Sequence, residues 1–151
     1  MTLVPFTNED FGGLYEFMKP LWLETYSPIL PKQQILFLLD QYFSEDGLEK
    51  YRGLGYQYFH VDDVGVLVYV ERETDVYLDK LYLLPKARGK GYAAFVFSEM
   101  AKLGKPVTLN VNQANERALK CYLKNGFEIV EKVAVALGNG MTNYDYVMQK
   151  R

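Results

Sequence analysis

Among 151 residues there is one cysteine, one histidine and one tryptophan, and these scarcities remove whole classes of protein. A lone Cys121 cannot build an intramolecular disulfide framework and fits a reducing compartment. It also argues against metal binding, so no metal is expected. No apolar run approaches the roughly 20 residues needed to span a bilayer, so no membrane association is expected. The opening MTLVPFTNED carries no basic segment leading into a long apolar one, so no secretory signal is visible. The expected location is the cytoplasm. A net charge of -2 and a pI of about 5.5 give no bulk electrostatic support for nucleic-acid binding. Repeats, low-complexity tracts and flexible linkers are missing too, so residues 1–151 read as one domain, long enough to bury a core.

Aromatic residues are plentiful: thirteen Tyr and nine Phe favour a β-rich component or aromatic-lined clefts. LVPF is a candidate first strand. Asn8 is placed to cap a helix over about Glu9–Lys19, with Phe11, Leu14, Tyr15 and Met18 on one face. Trp22 and Tyr26 follow, and Pro28 and Pro31 interrupt the chain before a second helix over about Lys32–Phe43. The period then changes. Tyr56–Val61 and Val66–Glu71 are strand-like and joined by a hairpin signal, and Val76–Leu84 ends at Pro85. A helix over Ala93–Leu103 closes at Gly104 and Pro106. A buried strand Val107–Val111 leads to a helix Glu116–Asn125 capped by Asn115. Strands Phe127–Leu137 and Tyr144–Lys150 flank the turn Gly138-Asn139-Gly140. The order β-α-α-β-β-β-α-β-α-β-β is that of a mixed α/β or α+β protein. Its two strand-helix-strand units favour parallel pairing at the sheet centre.

The stretch from Leu81 to Phe97 runs from a strand into a basic turn rich in glycine and then into a helix. Such a corner suits a phosphate. Gly89 and Gly91 let the backbone come close, successive N–H groups converge, and the following helix adds its unpaired amides and dipole. The familiar nucleotide loops fit poorly. Gly91 is followed by Tyr92 and not by the Lys-Ser/Thr of a P-loop. The dinucleotide fingerprint lacks its third glycine, and no acid stands about 20 residues on. A solvated turn bearing Lys86, Arg88 and Lys90 is the plain alternative.

Arg88-Gly89-Lys90-Gly91-Tyr92-Ala93 resembles the R/Q-x-x-G-x-G/A signature of the GNAT N-acetyltransferases, which also follows a strand and Pro. About 25 residues on, Asn115 to Phe127 resembles that family's N-x-x-A-x-x-x-Y-x-x-x-G-F pattern. Here Asn115, Ala118 and Tyr122 fall along one helix face. The resemblance covers roughly Tyr56 to the C-terminus. The Trp22–Tyr26 segment, the strand through Leu81–Leu84 and the ending from Gly138-Asn139-Gly140 to Asp145-Tyr146-Val147-Met148 are also similar to the PaiA-type bacterial acetyltransferases.

The resemblance implies a central mixed, mostly antiparallel sheet of about six to seven strands flanked by about four helices. It implies acetyl-CoA as co-substrate, with residues 76–127 as its binding core and residues 8–43 on the acceptor side. Arg88, Gly89, Lys90, Gly91, Tyr92 and Ala93 would hold the pyrophosphate. Leu81, Tyr82 and Leu83 would pair with the pantetheine arm on a strand that splays after a bulge. A backbone N–H near Leu83 would stabilise the oxyanion. Asn115 and Lys124 would make further cofactor contacts, and Tyr122 would protonate the departing thiolate.

The base is not fixed by the resemblance. Asp79, expected on one strand face with Leu81 and Leu83, is the first candidate; Glu71, Asp145 and His60 are others. His60, as the sole histidine, invites a catalytic label but reads rather as a partly exposed strand histidine before Asp62 and Asp63. The aromatic residues Trp22 and Tyr26 serve either an amine or the core. Glu24, Glu45, Asp46 and Glu49 either attract an amine or are merely solvated. The expected partner is a polyamine-like small-molecule amine or a protein amine, met by a monomer or homodimer. A non-catalytic acyl-CoA-binding sensor is the alternative.

Overall fold

The computed structural model describes residues 1–151. Seven strands form one sheet: β1 Leu3–Pro5, β2 Gln57–Val61, β3 Gly65–Glu71, β4 Val76–Leu83, β5 Val107–Asn112, β6 Glu128–Ala136 and β7 Thr142–Lys150. Five α-helices cover it: α1 Leu14–Tyr26, α2 Lys32–Phe43, α3 Glu45–Gly53, α4 Tyr92–Ala101 and α5 Glu116–Lys124. The strand order is β1-β2-β3-β4-β5-β7-β6, and every neighbouring pair is antiparallel except β4 and β5. The expected parallel pairing is therefore confined to one pair. β7 turns back between β5 and β6, so the second strand-helix-strand unit ends on the sheet edge.

Each sheet face has its own core. Val76, Leu78 and Leu109 meet Val96, Phe97 and Met100 of α4, with α5 at the margin. Tyr58, Val66 and Val68 on the opposite face meet Leu14 and Met18 of α1, Ile35 and Leu39 of α2 and Leu48 of α3. No helix is long and apolar enough to cross a membrane.

The N-terminal third departs from the sequence expectation in three ways. A 3₁₀ segment covers Asn8–Gly13, and Thr7 is its cap, with the Thr7 amide donating to Asp10 Oδ2 at 2.7 Å. Asn8 instead accepts from Arg52 at 2.8 Å. The first α-helix then runs on through Pro20 to Tyr26. Proline removes a backbone bond inside a helix, but burial of Leu14, Met18, Leu21 and Trp22 holds both sides in place. The helix α3 was not anticipated, because its charged sequence has little apolar periodicity. Its signals are local: Ser44 accepts from the Gly47 amide at 3.1 Å, acids open the first turn, and Lys50 and Arg52 close the last. Gly47 lies so close to α2 that a Cβ there would run into the carbonyl oxygen of Gln41.

Candidate active site

The sheet opens where β4 leaves β5. These strands pair over Val76–Leu78 and Val107–Leu109 only, although each continues for several residues. The register of β3 against β4 jumps at the same level, Val68 opposing Lys80 and Tyr69 opposing Leu78. Asp79 is thus the extra residue of a β-bulge, which bends the strand and strengthens its twist. The resulting cleft has a volume of about 680 Å³.

The bulge also reverses the side-chain parity. Leu81 and Leu83 pack with Val76 and Leu78 on the α4 face, whereas Lys80 reaches Tyr42 and Phe43 of α2. Asp79 is ion-paired with Lys80 at 2.6 Å and lies on that α2 side. The expectation that Asp79 shares a face with Leu81 and Leu83 is wrong, because alternation fails across a bulge. Beyond it, Leu84 N–H donates to Val64 at 2.8 Å. By alternation the amides of Leu81 and Leu83 point away from β3, into the opening.

One end of the cleft is built from backbone. Gly89 and Gly91 adopt φ of 75° and 87°, and Gly91 caps α4 with no side-chain bond to its first amides. The N–H groups of Gly89, Lys90 and Gly91 donate to no backbone carbonyl. Three amides with no backbone acceptor thus run directly into a helix start without a side-chain cap, an arrangement that suits an anion. Arg88, Arg117, Lys120 and Lys124 also line the cleft. Lys90 is exposed and its side chain stands outside the lining. Tyr92 lines the cleft, with its hydroxyl donating to Asp62 at 2.9 Å. Arg88 Nη1 lies 2.7 Å from Glu24 Oε1, and Arg117 lies 3.7 Å from the same oxygen. Arg88 holds the Glu24 carboxyl below its ordinary range, so Glu24 is engaged here and not with an amine. This end fits the phosphates of coenzyme A in charge and in open backbone.

Tyr122 lies between the two ends. Its ring rests against Phe97 and Phe127, with centroids 6.0 and 5.7 Å away. Asn115 caps α5, its Oδ1 accepting from the Ala118 amide at 3.3 Å, and all three residues of that helix face line the cleft. Burial raises the Tyr122 hydroxyl well above its ordinary range, so it stays protonated at neutral pH.

The far end is a chamber of side chains. Trp22 and Tyr26 of α1 and Tyr42 of α2 stand over Tyr77, Asn110 and Asp145. Tyr82 adds its hydroxyl, 2.6 Å from that of Tyr26. On β7, Tyr146 and Met148 pack on the α4 face, so alternation turns Asp145 to the other side. There Asn110 Nδ2 approaches its carboxylate at 3.5 Å, and burial raises the Asp145 carboxyl above its ordinary range. Burial, reinforced by Asp79 and Asp145, likewise raises Tyr42 and Tyr77. Gln34 of α2 donates to Asn143 at 2.9 Å, fastening the last hairpin to the chamber.

Of the other residues considered from sequence, His60 is 3.1 Å from Asp10 and stacked on Phe6, outside the cleft. Glu71, Glu45, Asp46 and Glu49 are exposed and outside it as well. Cys121 lines the cleft beside Tyr122, with burial raising its thiol. Tyr42, Tyr77 and Lys80 were missed, since no motif marks them; only the bulge and the packing of α2 bring them in.

The fold and cleft define a protein built to hold a long, phosphate-bearing ligand between two parted strands. The chain belongs to the acetyltransferase (GNAT) family, whose model matches residues 14–127. It is 41% identical over 81 residues to an uncharacterised N-acetyltransferase of Mycobacterium tuberculosis. That match spans 50% of this chain and 51% of the relative. The structure of a PaiA N-acetyltransferase from Thermoplasma acidophilum in complex with coenzyme A is similar over 100% of this chain and 99% of that one. Its TM-score is 0.72 and its identity 22%. A GCN5-related N-acetyltransferase structure from Rhodopseudomonas palustris aligns over 99% and 94%, with TM-score 0.76 and 17% identity.

Proposed function

We propose that this chain transfers an acetyl group from acetyl-CoA to a primary amine, with both substrates bound in the one cleft. The observation that carries this reading is the continuity of the cleft. It joins a turn of free amides, a parted strand pair, Tyr122 and a carboxylate-bearing chamber. Acetyl-CoA supplies the activated thioester; the chain's own groups bind, orient and move protons.

The amides of Gly89 to Gly91 and the first turn of α4 receive the pyrophosphate, with Arg88, Asn115 and Lys124 beside them. The strand edge Leu81–Leu83, Tyr82 included, pairs with the pantetheine arm. The Leu83 amide faces the opening, where it can donate to the thioester oxygen as negative charge develops there. Asp145 is the better placed base, because Asp79 is held by Lys80. It removes a proton from the ammonium, the amine nitrogen forms a bond to the carbonyl carbon, and the carbon–sulfur bond breaks. Tyr122 gives its proton to the thiolate and regains one from the attacking nitrogen. The products are an N-acetylamine and coenzyme A, with one net proton released.

Calorimetry with acetyl-CoA and ATP, followed by thiol release across an amine panel, tests this. Binding of acetyl-CoA with amine-dependent release is expected. Absence of acetyl-CoA binding overturns the reading, whereas binding without release on any amine leaves a sensor module.

A further inference from the structure

Inside the acceptor chamber, the charges are almost all matched. Lys80 is 6% exposed, is 2.6 Å from Asp79 and stands 3.6 Å over the Tyr42 ring, with Phe43 behind it. A carboxylate and an aromatic face would cage a substrate ammonium well, but here the chain's own ammonium fills that cage. Elsewhere in the cleft, Arg88 and Arg117 engage Glu24. Asp145 is the one carboxylate lining the cleft that has no cation beside it. The rest of the chamber is aromatic, and the 4%-exposed Trp22 contributes an indole N–H with no partner in the protein.

We propose, resting on the acetyltransferase reading, that the acceptor is a monoamine: one ammonium, received at Asp145, on an aromatic or branched aliphatic body held by the rings of the chamber. Such a body gains from burial against Trp22, Tyr26 and Tyr77. A polyamine, the small-molecule class first suggested by sequence, brings a second ammonium into the chamber. That charge meets buried Lys80, and no second carboxylate is free to offset it. With Asp79 already paired to Lys80, a second desolvated ammonium finds no counter-charge and meets the residual field of Lys80, so the chamber rejects diamines as much as it selects monoamines. Lys80 is thereby a specificity-determining residue and Asp145 the recognition group.

The experiment measures kcat/KM with saturating acetyl-CoA for phenethylamine, tryptamine and isoamylamine against putrescine and spermidine. The monoamines are expected to lead by about tenfold to a hundredfold, the range of one or two kcal/mol-scale contacts. Asp145→Asn is expected to raise monoamine KM as well as lower kcat, with acetyl-CoA affinity kept. Lys80→Met frees Asp79 and should shift the putrescine-to-phenethylamine ratio toward the diamine by about tenfold. A melting curve checks its fold, and the double variant Asp79→Asn/Lys80→Met removes both charges in case the single one unfolds. In the double variant a smaller shift in the same direction is expected. Better turnover of putrescine or spermidine than of every monoamine overturns the proposal. So does an unchanged ratio in both Lys80 variants, or acetyl-CoA binding with no monoamine acetylated. Failure of acetyl-CoA to bind at all instead overturns the acetyltransferase reading beneath it.

Discussion

Backbone shapes the cleft between Arg88 and Ala93, and side chains shape it between Tyr42 and Asp145. At the first end, Gly89 and Gly91 turn the chain so that amides point outward, and the helix start of α4 needs no particular side chain to attract an anion. At the other, the lining depends on which rings and charges four separate elements bring together. A backbone site is encoded in six contiguous residues and tolerates change elsewhere. A side-chain chamber is spread over the chain and is as specific as its packing.

The contrast can be broken most sharply at the residue between the ends. Tyr122→Phe keeps the ring against Phe97 and Phe127 and deletes only the hydroxyl. It is expected to lower kcat by about 10- to 1000-fold, the range of one general acid, while calorimetry shows acetyl-CoA affinity nearly kept. Unchanged turnover would show that another group protonates the thiolate.

The two cores come next. Leu39→Ala under the chamber and Leu109→Ala under the opposite face both remove fully buried side chains. Each should cost about 2–5 kcal/mol in denaturant unfolding. Only Leu39→Ala should also raise the amine KM, since α2 carries Tyr42 and Gln34.

Gly91→Val tests the backbone end. Its φ of 87° disfavours a β-branched residue by about 1–3 kcal/mol, although space is open there. Weaker acetyl-CoA binding is expected, with amine preference unaltered.

A smaller effect separates the ends by pH. Burial raises the Asp145 carboxyl in the folded chain, so ionised Asp145 destabilises the fold at pH above the folded value. That cost fades as pH falls toward the unfolded value and is gone below it. Asp145→Asn should therefore raise the melting temperature at neutral pH, with the gain disappearing in acid. Smallest is Glu24→Gln, which releases partly exposed Arg88 and exposed Arg117 and should leave the melting temperature nearly unchanged. Any effect should fall on acetyl-CoA KM, because both arginines line the cleft and Arg88 leads into the glycine turn.

Much of the fold was legible. The sheet elements and four of five helices follow from periodicity, and Asn115 with Gly126 brackets α5 as its sequence suggests. What was missed has physical causes. Pro20 reads as a stop, yet buried contacts on both sides carry α1 through it. The acidic start of α3 hides its helix behind charges, although Ser44 marks it.

By itself the sequence determined the glycine turn before α4 and the helix face carrying Asn115 and Tyr122, because contiguous residues impose their own local geometry. Tertiary structure alone decided which side chains face one another in the rest of the cleft. One inserted residue in β4 reverses side-chain parity, so Asp79 goes to Lys80 while Asp145, 66 residues later, meets Asn110 across β5 and β7. Strand alternation is read along a chain, but a bulge is created between two strands, where pairing partners and packing fix it.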